Sequence, residues 1–525
     1  MVKVRAGGVA VGEFPYDESA PALYLSKAGG YVPRGQALTP ILAHGLHYAT
    51  SFFEGMRAYD TPYGCGLVEP WMNIIRFMHS ASQFNPEIQM KVLEAYEEGA
   101  ERILVQKFTA EELYRLAEHA YREGKNPELI MSVDVRREGG GFIREIRRHE
   151  FTLRAIAGKT ARDFSMAELD AAIKALLFIN GLVSEDYAPP ELETVPGGYI
   201  RPVGWSAEGG LKLSTLIPGE HGIGRKEMYF AIATLPWKDY LDEEAYRKGL
   251  EVMVAPYERI GADMPSDAKV AGNYPNGIMN VNPAKLLGFG EVLALDRKGL
   301  VVEGSAENLF ALFGGFAYTP SLKSGCLPGT TRDRVIRTLE RLGITLKSEA
   351  LPLSELKKAD AILLTGTAAQ FIHVSEISEV PAVREFARLN RLDSGPKSKW
   401  AGFYRKDFES RKTLINGGMQ HPIVEKIRAE YGKMVLEHDE NENPAMIEPA
   451  YRMDFGALAS VMGLGLSDIT TKGERRDIKS GYFSEKVNGL TQPDEMRKRM
   501  RAAAAIIKRG MAKAEKIRRV AARRR

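Results

Sequence analysis

Lys269 sits in the run Ser266-Asp267-Ala268-Lys269-Val270-Ala271-Gly272-Asn273-Tyr274, among small residues and a glycine that let a ligand approach closely. A lysine in a partly apolar pocket gives up its proton more readily, because desolvation disfavours the charged form. The neutral amine then forms a Schiff base with an aldehyde. Pyridoxal phosphate uses such a lysine, together with a carboxylate at its ring nitrogen and a cradle for its phosphate. Candidates for both follow in order: Glu303 in Val302-Glu303-Gly304, then Thr330-Thr331 and Gly366-Thr367. Taken alone, a lysine beside glycines is most often solvated, so the chemistry rests on the three features together.

The elements that must position these residues can be read around them. A helix over about 277–287 leads to a strand over 291–296. A turn at Arg297-Lys298-Gly299 returns the chain as Leu300-Val301-Val302-Glu303, a hairpin that delivers the carboxylate. Leu327-Pro328-Gly329-Thr330-Thr331 precedes a helix over 332–342, with Val335, Ile336, Leu339 and Leu342 at helical spacing. Free N–H groups and the positive dipole end of a helix favour a phosphate; capping by Thr331 is the plainer reading. A short buried-type strand, 361–365, runs into Gly366-Thr367-Ala368-Ala369, whose amides and Thr367 hydroxyl suit the same anion or a carboxylate.

Upstream, residues 22–33 read as strand, Gly-Gly turn, strand, and 44–60 as a strand or strand-turn. The aromatics Tyr48, Phe52 and Phe53 there line a pocket or fill a core. The helical run 71–81 carries Arg76 on an apolar segment, where a guanidinium needs an anion: a ligand phosphate or a structural ion pair. Thr109 with Glu112 and Ser165 with Glu168 form two capping boxes, each opening an amphipathic helix. Gly139-Gly140-Gly141 lacks the spacing of a phosphate loop and reads as a turn.

At 525 residues the chain exceeds one core. Its 44% hydrophobic and 27% charged content is ordinary for a soluble globular protein. Cys65 and Cys326 cannot build a disulfide framework, so a reducing cytoplasm is expected. No apolar run suits a membrane span, the first residues lack a signal-peptide core, and no metal site is expected. The net charge of +4 divides unevenly: 496–525 holds thirteen Lys and Arg against Glu515, or +12, leaving −8 for the rest. That segment repeats Met496, Met500, Ala503, Ile507, Gly510, Ala514, Ile517 and Ala521 at 4-3 spacing, a weak seam on a basic helix. It reads first as a solvated helix or disordered end, and second as a surface for nucleic acid, a membrane surface or an acidic partner.

Five separated stretches carry a resemblance. They are His44-Gly45-Leu46-His47-Tyr48-Ala49-Thr50-Ser51-Phe52-Phe53-Glu54-Gly55-Met56-Arg57, Lys269 with Gly272-Asn273-Tyr274, Glu303-Gly304 with Asn308-Leu309-Phe310, Leu327 to Asp333, and Gly366-Thr367-Ala368-Ala369. In that order they resemble the branched-chain amino acid aminotransferases, fold-type-IV enzymes that use pyridoxal phosphate. The resemblance covers 20–87, 164–380 and 415–441. It implies an α/β fold: a small α/β domain over 1–205 with an insertion at about 88–163, then a larger, strand-rich, barrel-like domain over 206–441 with an insertion at about 381–414. The cofactor would lie in the cleft between them, and 442–525 would be an extension ending in the basic helix.

The resemblance also assigns roles. Lys269 carries the cofactor and moves the proton; Glu303 meets the ring nitrogen and Tyr274 the ring hydroxyl. Arg76, Thr330 through its amide, Thr331 and Thr367 hold the phosphate. Tyr48, Phe53, Tyr199, Arg201, Trp237, Thr367 and Ala368 address the substrate, with Arg201 the candidate for a glutamate side chain. The implied reaction exchanges the amino group of Leu, Ile or Val with 2-oxoglutarate, in a homodimer or higher oligomer. D-amino acid aminotransferases and aminodeoxychorismate lyases share the lysine, Glu-Gly and Thr motifs. A non-catalytic body with a nucleic-acid-binding tail is the third alternative.

Overall fold

The computed structural model describes residues 23–59, 65–84, 91–96, 101–105, 129–136, 142–150, 152–183, 197–207, 212–219, 222–225, 227–236, 243–261, 264–367, 370–380, 411–436, 447–480, 483 and 493–523. The chain forms two compact units. The first holds Tyr16–Lys238, Ala268–Val270 and His438–Arg525; the second holds Asp239–Asp267 and Ala271–Glu437, each in its described residues.

The first unit is built on an eight-stranded sheet. Its order is Gly30–Val32, Leu23–Leu25, Met228–Leu235, Gly198–Ser206, Met56–Tyr59, Gly66–Val68 and Ile447–Pro449, with Ser51–Phe53 also on Gly198–Ser206. The expected boundary at 205 falls inside this sheet. Gly198–Ser206 pairs antiparallel with Met228–Leu235 from Tyr199 opposite Leu235 to Ser206 opposite Met228, so the strand assigned to the larger domain belongs here. The helices Pro70–Ser82 and Met166–Ile179 turn Ile74, Ile75, Phe77, Leu169, Ile173 and Leu177 into the core. Both bonds of the Ser165–Glu168 capping box form: Glu168 N–H donates to Ser165 Oγ at 3.2 Å and Ser165 N–H to Glu168 Oε2 at 2.9 Å. The Thr109 box lies outside the described residues, as does the Gly139-Gly140-Gly141 turn. Within 88–163, Glu101–Val105, Lys91–Tyr96, Phe142–Glu150 and Leu129–Arg136 form a four-stranded antiparallel sheet.

The extension is not a solvated end. Ile447–Pro449 adds an edge strand to the sheet, and Tyr451, Phe455, Leu458, Ile469 and Phe483 are buried in the same core. The basic segment is the helix Pro493–Arg523, whose Met500, Ala503, Ile506, Ile507 and Ala514 are buried. Small residues make its seam weak as a coiled coil but suit close packing. A Cβ at Gly510 would stand 2.6 Å from Met462 Sδ. Ile517, at the far end of the seam, is half exposed.

A buried cation ties this extension down. Lys174, on Met166–Ile179, donates from Nζ to Asp170 Oδ2 at 2.8 Å, Glu448 Oε2 at 3.0 Å and Arg452 O at 2.7 Å. All three ammonium protons are thereby used. Neighbouring carboxylates hold the Lys174 pKa above its ordinary value despite burial, and burial pushes Asp170 up to about 6.

The second unit is a larger, strand-rich α/β body on a ten-stranded mixed sheet. Its order is Thr345–Ser348, Phe316–Thr319, Asn308–Phe313, Ala361–Gly366, Gln370–Ser378, Leu250–Val254, Glu291–Leu295, Leu300–Glu303 and Leu351–Pro352, with Lys412–Leu414 on Gln370–Ser378. The expected hairpin is present, with Ala294 opposite Glu303 and a register shift beside it. Val252, Leu293, Val301, Leu309, Ile362, Leu364 and Ile372 form its core. The helix Pro422–Leu436 also belongs to this unit. Most of the second insertion lies outside the described residues. Among the described residues no helix is long and apolar enough to cross a membrane, and no group of three or more His, Cys, Asp or Glu could hold a metal.

Replacing Lys174 with Met strands two carboxylates in a core that has lost their cation. The expected loss is about 3–5 kcal/mol of unfolding free energy, read from urea denaturation of Lys174→Met.

Candidate active site

In the first unit, Lys269 is held by a single-residue β-bridge. Its N–H donates to Ser80 Oγ at 2.8 Å, Phe53 N–H donates to its carbonyl at 3.1 Å, and Phe52 pairs with Val270. Ser80 Oγ donates in turn to Arg76 O at 2.8 Å, so the Pro70–Ser82 helix fixes the lysine backbone. Ala268 and Val270 are buried on either side, while Lys269 itself is half-buried.

The lysine side chain joins three of the expected substrate residues. Lys269 Nζ stands 5.3 Å from the Phe53 ring centre and Arg201 Cζ 4.7 Å from the same ring. Arg201 Nη2 donates to Tyr199 Oη at 2.9 Å. An amine and a guanidinium thus share one aromatic ring, an arrangement that attracts cations to the π face. Gly55 is required for it: a Cβ there would stand 2.1 Å from Tyr199 Oη.

Arg76 makes an ion pair. It is buried, with Nε 2.5 Å from Glu54 Oε1 and Nη2 2.8 Å from Glu54 Oε2. Asn73 Nδ2 adds a bond to Glu54 Oε2 at 3.0 Å. Glu54, within the quoted motif but given no role from sequence, is the anion this arginine meets. Tyr48 lies on a one-turn helix, His44–Tyr48, where a strand was expected; Thr50 Oγ1 and Lys212 O hold His44 against it. Tyr48 is 37% exposed, so it is no core aromatic. Trp237 and Ala368 lie outside the described residues.

In the second unit, Glu303 is a buried carboxylate that accepts from three donors among the described residues. Arg259 Nε donates to Oε1 at 2.6 Å, Leu327 N–H to Oε2 at 3.1 Å and Asn308 Nδ2 to Oε2 at 3.4 Å. Asn308 Nδ2 also reaches Leu327 O at 2.7 Å. The ring-acid candidate and the loop leading to Thr330 therefore share a brace. The helix that follows is Thr330–Arg341, starting two residues earlier than expected, and its N-cap is Gly329 with no side-chain bond. Thr331 is therefore not the cap. Both threonines are buried in the first turn, where amides lack intrahelical partners. Tyr274 opens the helix Tyr274–Leu287, and Thr367 follows the end of Ala361–Gly366. Within this unit a buried acid and a helix N-terminus with hydroxyls are the donor set that a pyridine nitrogen and a phosphate require.

Comparison with known proteins bears on this set. Residues 132–377 match the amino-transferase class IV family. A Methanocaldococcus jannaschii protein assigned to the branched-chain-amino-acid aminotransferases is 33% identical over 209 residues, covering 39% of this chain and 69% of the relative. The chain belongs to that family. The branched-chain-amino-acid aminotransferase of Escherichia coli (strain K12) is 36% identical over 150 residues, 28% of this chain and 48% of the relative. The chain thus spans about half the length of such curated relatives in sequence. The T.th. branched-chain amino acid aminotransferase solved with pyridoxamine 5'-phosphate superposes with a TM-score of 0.53 and 25% identity, covering 83% of this chain and all of that one. The expected fold-type-IV class is therefore the observed one. The family match begins at residue 132, inside the stretch read as inserted.

Four residues of this family member were given no role from the sequence: Glu54, Ser80, Arg259 and Asn308. Asn308 and Glu54 stand inside the quoted motifs, while Arg259 is flanked by no motif. Beside them, two acids accept from consecutive amides of one turn: Glu291 Oε1 from Ser305 N–H at 3.2 Å and Glu307 Oε2 from Ala306 N–H at 3.1 Å. Burial, then the Glu291 charge, pushes the Glu307 carboxyl up to about 8, and burial raises Glu291 as well. The folded chain therefore keeps a proton on Glu307 that the unfolded chain releases near its ordinary value of 4.5. That contribution to stability is full below pH 4.5 and fades as pH rises towards 8. Glu307→Gln should flatten this part of the profile of thermal unfolding against pH, leaving the variant relatively more stable at pH 8.

Proposed function

We propose that the chain is a pyridoxal-phosphate-dependent transaminase. It exchanges the amino group of branched-chain L-amino acids (Leu, Ile, Val) with 2-oxoglutarate, giving the branched 2-oxo acid and L-glutamate. The observation that carries the reading is the Lys269–Phe53–Arg201–Tyr199 group, which puts an amine and a carboxylate-binding guanidinium on one ring. Membership in the family supports it.

The bound cofactor supplies an aldehyde for an amine and a ring that takes up electrons from the substrate's Cα. The residues do the rest. Lys269 Nζ takes the proton from the substrate's Cα and returns it to the carbon that has received the nitrogen. Glu303 would accept the ring N–H and Tyr274 would bond the ring hydroxyl. The Thr330 amide with Thr331 and Thr367 would hold the phosphate, joined by Arg76, whose guanidinium Glu54 keeps in place. Arg201, Tyr199 and Thr367 take carboxylates, while Phe53, Tyr48, Trp237 and Ala368 bound the side chain. An Arg201–Tyr199 pair suited to a glutamate carboxylate favours this reading over D-amino acid transamination and aminodeoxychorismate cleavage.

The proposal includes a homodimer or higher oligomer. Leu38, Ile41, Leu42, Leu46 and Leu213 are exposed apolar residues of the first unit, a run that a second copy would cover. It also includes a cytoplasmic location, in keeping with Cys65 and Cys326 standing outside any disulfide. For the extension, burial of the helix seam supports a structural role over nucleic-acid binding.

With leucine and 2-oxoglutarate the protein should turn over, and D-alanine and aminodeoxychorismate should not be consumed. Lys269→Ala should lower turnover by about a thousandfold or more and remove the visible absorbance of lysine-linked cofactor. Near-normal activity in that variant would end the proposal.

A further inference from the structure

Glu303 is an unusual acid to find facing a ligand, because a guanidinium already neutralises it. Arg259 and Glu303 are both nearly buried, with side chains 11% and 4% exposed and Nε 2.6 Å from Oε1. A carboxylate offers roughly four acceptor directions. Among the described residues Arg259, Leu327 N–H and Asn308 occupy three of them, which leaves one on Oε1, the oxygen that Arg259 holds.

Arg259 is itself fixed. Its N–H donates to Leu295 O at 2.8 Å, Ala255 N–H donates to Leu293 O at 2.8 Å, and Tyr257 N–H to Asn280 Oδ1 at 2.9 Å. Asn276 Nδ2 holds Glu258 O at 2.9 Å. The segment after Leu250–Val254 therefore runs pinned along Glu291–Leu295, the strand whose other edge pairs with Leu300–Glu303. Arginine and glutamate approach from the two sides of one strand, which sets their distance through backbone hydrogen bonds rather than side-chain choice.

We infer that Arg259 is a positioning residue for Glu303: it fixes the orientation of the carboxylate and tempers the charge that Glu303 presents to a ring nitrogen. The inference rests on the reading that the chain binds pyridoxal phosphate. Without Arg259 the carboxylate rotates among its remaining donors and no longer aims its free acceptor direction. Lysine, a point charge without the planar fork, restores the charge but not the orientation.

The test compares Arg259→Met, Arg259→Lys, Glu303→Gln and the double variants, each stripped of cofactor and titrated with pyridoxal phosphate. Arg259→Met should bind about tenfold more weakly than the unmodified chain, with Arg259→Lys in between. In the Glu303→Gln background the same substitution should change affinity less than twofold. The pH at which the bound chromophore changes absorbance should move in Arg259→Met and stay put when Gln already stands at 303. An equal loss in both backgrounds, or no loss in either, overturns the inference. Should Arg259→Met not fold, Arg259→Lys with and without Glu303→Gln gives the same comparison. If the unmodified chain takes up no pyridoxal phosphate, the functional reading itself fails, a result distinct from either of these.

Discussion

A charge removed from water has to meet its opposite, and three buried pairings of this kind shape the molecule. Arg76 with Glu54 fixes the helix that carries Ser80, and through Ser80 the backbone of Lys269. Arg259 with Glu303 sets the acid at the end of the hairpin. Lys174 with Asp170 and Glu448 clasps the C-terminal extension to the first unit. Further hydrogen bonds satisfy Glu54 and Glu303, whereas Asp170 Oδ1 is buried with no partner among the described residues. Charges so placed specify geometry more than they add stability, since the Coulomb gain largely offsets desolvation.

Local patterns in the sequence were reliable guides to local structure. The hairpin ending at Glu303, the Ser165 capping box and the helix over 71–81 rest on turn chemistry and periodicity, and all are present. The Lys269–Phe53–Arg201–Tyr199 group was legible as membership but not as arrangement: the motifs named the residues, and only the fold shows one ring shared by two cations.

What escaped was long-range. Arg259 meets an acid 44 positions away and is surrounded by nothing periodic. The first unit recruits Met228–Leu235 and Ile447–Pro449 into one sheet, and no local signal says which strands will be neighbours. The seam of the last helix looked too poor to pack because alanine and glycine carry little apolar area. Those same small side chains let the helix sit close to Met462 and Ile469, where contact replaces area.

The edge strand Ile447–Pro449 has a consequence for synthesis. Its partner Gly66–Val68 and the helix Met166–Ile179 leave the ribosome hundreds of residues before the chain that covers them. Until then a growing polypeptide carries an open sheet edge and the apolar flank destined for Tyr451 and Phe455. The first unit is thus begun early and closed last, a schedule that leaves nascent chains dependent on chaperones and makes C-terminally shortened products natural targets for proteolysis.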